Sequence, residues 1–297
     1  MNIKNDSYTE LKALVSLLDE PNEENFSSIR TKVCAYGLKA IPFLDDACLN
    51  SKNVEYVNRV KSLVNEIFFN DTFKTLNTWS SEEGEGLDLL EAFFSISRLL
   101  DSDIDTAKYL TEFNQIRKDV WLELNNNLTA LEIIRVLNHI IYDYHMFSGQ
   151  RTPHSNKLKL YSPDHLFELK KGNSLSLGIL YLAIAQNLKL PIYGVDLPGH
   201  FVLCYLDENA NLKNTSDYSQ KEVLFYLNAM NNGAVFTKNE IEDFVFQMNV
   251  KSEKSHFLPC SNKTIIKRLL REVSKEVKLS GDDKKSKLFL NLLEAVD

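Results

Sequence analysis

The sequence predicts an α+β protein that is predominantly helical, and three observations carry that prediction. The stretch 175–189 is apolar on nearly every side (Leu175, Leu177, Ile179, Leu180, Leu182, Ala183, Ile184, Ala185, Leu188), which places a helix in the middle of a domain. Short β-type runs follow it at 192–196, 200–206 and 222–228, with another at 233–237. On both sides of this block the apolar residues recur at helical spacing. A few short strands after one central helix imply a small antiparallel sheet packed on that helix.

The N-terminal third reads as helices. Ser7-x-x-Glu10 has the form of a capping box ahead of Leu11, Leu14, Val15 and Leu18. Phe26, Ile29 and Val33 continue the stripe, Gly37 falls where a helix would end, and Pro42 falls in the first turn of the next helix. The polar string 80–86, Ser-Ser-Glu-Glu-Gly-Glu-Gly, marks a boundary. Helical patterns then run near 86–99, 105–124 and 129–145, the last opened by Thr129-x-x-Glu132. Residues 147–162 read as a loop and 163–170 as a short helix leading into the Gly172-Asn173-Ser174 turn. After the strands a helix is expected over 238–248. From 261 onward the pattern is an antiparallel helix pair, capped by Ser261 or Asn262 and turning at Gly281-Asp282. The expected organisation is a helical cap (1–78), a core (79–250) and a helical hairpin (251–297).

Composition excludes several classes of function. The 297 residues carry 34 basic and 41 acidic side chains, a net charge of −7, which is not the basic footprint that a general nucleic-acid binder needs. No window approaches the roughly 18 apolar residues of a membrane span, and the first residues have no apolar core of a secretory leader. Cytoplasmic residence is therefore expected. The four cysteines (Cys34, Cys48, Cys204, Cys260) are scattered, without the pairing of a zinc site or a disulfide framework. The histidines His139, His145, His154, His165 and His256 show no metal-ligand spacing, so neither metal nor cofactor is expected.

The most specific signal is Gly172-Asn173-Ser174-Leu-Ser176-Leu-Gly-Ile-Leu-Tyr181, followed by Leu190-Pro191-Ile-Tyr-Gly194 and Pro198-Gly199-His200-Phe201. A loop, a buried helix and a strand opening with histidine form the skeleton on which cysteine proteases and transglutaminases carry nucleophile and base. These residues resemble the core of the bacterial SirB-type transglutaminase-like family. Asp88–Arg98 is similar to its opening helix, Asn228–Glu240 to its segment after the strands, and Asn262–Asp282 to its tail, which is TPR-like. The string from Leu17 to Pro21, with Gly37 through Leu44, resembles a HEAT-type repeat.

The resemblance implies a Cys-His-Asp triad in active members. The matching positions here are Ser174, His200 and Asn228, with Asp217 as the alternative third member because the insert 207–222 alters the spacing. A helix N-terminus and an imidazolium lower a thiol pKa from near 8.5 into the useful range. The same field leaves a serine hydroxyl un-ionised, so serine needs a base positioned to take its proton during attack. Thiol chemistry at Ser174 is thus excluded and serine chemistry disfavoured. Each residue also has a structural role open to it: Ser174 as helix N-cap, Ser176 bonding its own backbone, His200 as a half-buried strand histidine, and Cys204 as a small core residue. The expected function is a non-catalytic module that binds a protein or peptide. The alternative is a hydrolase or acyltransferase using Ser174 with His200.

Overall fold

A computed structural model describes residues 3–81, 88–102, 104–151, 154–207 and 223–297. The chain divides into two compact units, Met1–Asn77 and Thr78–Asp297. Among the described residues, no helix is long and apolar enough to cross a membrane.

The first unit is built from α1 (Ile3–Ser16), α2 (Glu23–Ala35), α3 (Ile41–Asn50) and the start of α4 (Val54–Ser81). Its core is Leu11, Val15, Leu18, Val33, Leu44, Val60 and Leu63. Helix α1 begins four residues before Ser7, so the box expected there does not start the helix; Glu10 instead accepts a hydrogen bond from the Tyr36 hydroxyl at 2.9 Å. Asn22 caps α2. Gly37 takes φ +57° just past that helix, a conformation that favours glycine, and Pro42 lies in the first turn of α3.

In the second unit, Asp88 caps α5 (Leu89–Ser97) and Asp105 caps α6 (Thr106–Glu123). The break expected at 80–86 lies outside the described residues from 82 on. Thr129 and Glu132 form the anticipated reciprocal capping box of α7 (Ala130–Asn138). The helix then widens into a π turn at His139–Tyr144 instead of running regularly to 145. The segment read as a loop contains β1 (Ser148–Gly149), which pairs in parallel with β2 (Lys171–Gly172) just after α8 (Pro163–Glu168).

Helix α9 (Ser174–Asn187) is buried from Leu175 through Ala185. Next to it lies an antiparallel sheet in the order β3-β4-β5-β6, comprising β3 (Ile192–Leu197), β4 (His200–Leu206), β5 (Val223–Asn228) and β6 (Ala234–Phe236). Phe201 locks helix to sheet. A Cβ on Gly178 of α9 would stand 2.7 Å from the Phe201 ring, and so would one on Gly194 of β3. Burying such a ring contributes about 1.5–3 kcal/mol. Val202, Cys204 and Leu206 pack instead with Ile241 and Val245 of α10 (Lys238–Gln247) and with Phe257. The helix pair α11 (Asn262–Leu279) and α12 (Asp283–Asn291) belongs to the same unit. Cys260 N–H donates to the Gly194 carbonyl at 2.7 Å, which satisfies part of the edge of β3.

Candidate functional site

The N-terminus of α9 is closed by Asn173, not by Ser174. The Asn173 Oδ1 accepts from the N–H groups of Leu175 (3.0 Å) and Ser176 (2.8 Å), and the Asn173 N–H donates to Ser176 Oγ at 3.0 Å. Asn173 is extended (φ −92°, ψ −175°), the conformation an N-cap requires. Ser174 is therefore the first residue inside the helix, and Ser176 completes the box three positions after the cap. The signal was present as Asn-x-x-Ser, with serine where glutamate or glutamine is usual. Gly172 is obligatory beside this box, since a Cβ there would lie 2.7 Å from Ser176 Oγ.

Ser174 is half-buried, and among the described residues no hydrogen bond joins it to His200. His200 opens β4 after the Pro198-Gly199 turn, where Gly199 takes φ +69°. Its ring rests 5.9 Å from that of Phe244 on α10, with the side chain of Asn228 near enough to act on its charge. Burial lowers the His200 pKa, Asn228 acts in the opposite direction, and the cations Arg268 and Arg151 lower it further. Starting from an ordinary value near 6.5, the ring is neutral at pH 7. The structure thus brings His200 and Asn228 together and leaves Ser174 unbonded to either. Asp217 lies outside the described residues.

Asn228 is held firmly. Its Oδ1 accepts from Met230 N–H at 3.1 Å, and the Tyr142 hydroxyl donates to the Ala229 carbonyl at 2.8 Å. Asn138 donates to the Gly233 carbonyl at 3.0 Å and accepts from the Tyr181 hydroxyl at 3.1 Å. Gly233, at φ +67°, lies so close to Asn138 that a Cβ would meet its amide at 1.9 Å.

Arg268 of α11 was not singled out from the sequence. Its guanidinium donates to the carbonyls of Leu197 (2.7 Å) and His200 (3.2 Å), to Glu272 at 2.6 Å and to the Asp196 carboxylate. Glu272 also accepts from the Tyr161 hydroxyl at 2.8 Å. Burial opposes the charge on Arg268, but Glu272 and Asp196 outweigh it and hold its pKa above the ordinary value. The network fixes the turn that presents His200. Beside it runs a groove of about 890 Å³ between α11 and the β3–β4 turn, whose lining includes Gly199, Arg268 and Arg271 but not Ser174, His200 or Asn228.

None of the four cysteines offers a thiolate. Burial raises the Cys34 thiol to about 11 and Cys260 to about 12, raises Cys48, and raises Cys204 well above the ordinary value. Cys204 is fully buried in β4. Among the described residues no group of three or more His, Cys, Asp or Glu side chains is placed to hold a metal.

A buried helix packed through Gly178 on a histidine-bearing antiparallel sheet is the core expected of a transglutaminase-like fold. The family model described as the transglutaminase-like superfamily matches residues 107–271, more than half of the chain, and the chain belongs to that superfamily. It is 32% identical over 118 residues to F-box only protein 21 of Homo sapiens, covering 39% of this chain and 18% of that protein. It is 27% identical over 128 residues to the UPF0162 protein BU173 of Buchnera aphidicola subsp. Acyrthosiphon pisum (strain APS), covering 43% of this chain and 47% of that one. The chain thus spans under a fifth of the F-box relative and about half of the bacterial one. No solved structure gives a significant match.

Proposed function

We propose that this chain is a non-catalytic transglutaminase-like protein that works in the cytoplasm by binding a protein or peptide. The observation that carries this reading is the position of Ser174: an alcohol stands at the first turn of α9 where the fold's chemistry needs sulfur, and no hydrogen bond links it to the histidine. An unactivated hydroxyl has no route to an alkoxide at neutral pH. The raised thiols of all four cysteines support the same conclusion, since no displaced cysteine substitutes for the missing one. The net charge of −7 favours a protein or peptide over nucleic acid as the partner. The 18% share of F-box only protein 21 that is matched supports reading the fold as a module carried in longer chains. We further place the chain with the bacterial SirB-type members, its first unit as a HEAT-like cap and α11–α12 as a TPR-like hairpin; similarity to the UPF0162 protein supports this placement.

The second reading, a hydrolase or acyltransferase using Ser174, is favoured by one feature, the surviving His200–Asn228 pair. Intact-mass spectrometry after treatment with a fluorophosphonate and with an activated ester separates the two. The binding module gives no stoichiometric adduct. An adduct on Ser174 that disappears in Ser174→Ala and in His200→Ala establishes the enzyme. The binding reading also requires a specific partner whose affinity is unchanged by Ser174→Ala.

A further inference from the structure

At the far end of α9 from Ser174, about 20 Å away along a 14-residue helix, lies a groove of about 380 Å³. It is lined by Arg117, Lys118 and Trp121 of α6 and by Asn187, Leu188 and Lys189 at the end of α9. Trp121 is 62% exposed and its neighbour Leu122 63% exposed, whereas the chain's other tryptophan, Trp79, is 3% exposed and donates to the Asp88 carbonyl. Tryptophan and arginine are the residues most enriched where binding energy concentrates, because each offers large contact area with a directed donor.

The charged residues that line the groove are all basic. Arg117, Lys118 and Lys189 have no carboxylate partner among the described residues, although acidic side chains outnumber basic ones by 41 to 34. The Nε of Arg117 is buried and has no hydrogen-bond acceptor among the described residues. Lys189 takes φ +57° directly after the end of α9, where Leu190 N–H closes the turn on the Ala185 carbonyl at 2.9 Å. Glycine is the default residue for that slot. Lysine there places a cation at the groove in a backbone conformation that disfavours it.

We propose that this groove docks an acidic peptide segment of a partner protein, with carboxylates held by Arg117, Lys118 and Lys189 and an apolar or aromatic side chain stacked on Trp121. The site names the chemistry of a partner, and it stands apart from Ser174 and His200, so it holds or fails independently of whether Ser174 is inert.

The test titrates the full chain against a short fluorescein-labelled peptide in which glutamates flank a Phe-Leu pair, with glutamines replacing the glutamates in the control. The expected result is saturable anisotropy with the acidic peptide, weakened by added salt, and a matching change in indole emission. Trp121→Ala, which removes an exposed side chain, weakens binding by about tenfold or more. Lys189→Gly weakens binding while leaving the melting temperature unchanged or raised, a combination that a purely structural lysine does not produce. Ser174→Ala binds as wild type. The proposal is overturned if the glutamine control binds equally, if Trp121→Ala and Lys189→Gly bind like wild type, or if no binding occurs by about 1 mM peptide. Self-association abolished by Trp121→Ala overturns it too, assigning the groove to a second copy of the chain.

Discussion

The guanidinium of Arg268 donates to the backbone carbonyl of His200 at 3.2 Å across 68 positions of sequence. With its bond to Leu197, this contact brackets the Pro198-Gly199 turn from both sides. The turn is what places His200 at the head of β4, so a residue on the C-terminal helix pair determines where the candidate base stands.

Removing that guanidinium takes one donor from Asp196, from Glu272 and from the carbonyls of Leu197 and His200, although Glu272 keeps the Tyr161 hydroxyl. Arg268→Ala is expected to cost about 2–4 kcal/mol, less than a fully buried pair because both carboxylates are partly exposed. Urea unfolding measures this loss. A cost below about 0.5 kcal/mol would mean that the network does not hold the turn.

The cap of α9 makes an unequal prediction for three neighbours. Asn173→Ala removes the acceptor for two helix N–H groups and is expected to cost about 1–2 kcal/mol. Ser176→Ala removes the acceptor of the half-buried Asn173 N–H and costs about 1 kcal/mol. Ser174→Ala changes stability by no more than about 0.5 kcal/mol. Thermal melts rank the three, and a large loss at Ser174 would refute the assignment of Asn173 as the cap.

The pH dependence of stability follows from His200. Folding lowers its pKa, chiefly by burial, so the unfolded chain binds more protons below the ordinary histidine value near 6.5. Stability from this group is complete above that value and declines as pH falls from there toward the folded-state pKa. His165, also lowered by burial, acts with the same sign. Urea midpoints measured from pH 7.5 down to about 5 should therefore fall, and the fall should shrink in His200→Gln. An unchanged slope in that variant removes His200 as the cause.

Thiol reactivity provides a direct chemical check. With Cys34 raised to about 11, its thiolate at neutral pH is about a hundred-fold scarcer than that of an ordinary cysteine. Iodoacetamide at pH 7.5 is expected to label all four cysteines slowly in the folded chain and readily in denaturant. One thiol reacting faster than a free cysteine would reveal an activated nucleophile.

Sequence alone determined what depends on neighbours within a few turns of chain. The all-apolar character of 175–189 placed α9 at the centre of the second unit, because a helix without a polar face has to be enclosed. The Thr129/Glu132 box, the strand at 200–206 and the turn at Gly281 were legible for the same local reason. Tertiary structure decided the rest. Asn173 and Ser174 are both good caps by residue type, and the backbone entering the helix selects the first. Two-residue strands such as β1 and β2 carry no periodicity, and their pairing depends on the intervening chain returning. The roles of Arg268 and of exposed Trp121 come from distant segments meeting in space, and no window of sequence contains both sides of such a contact.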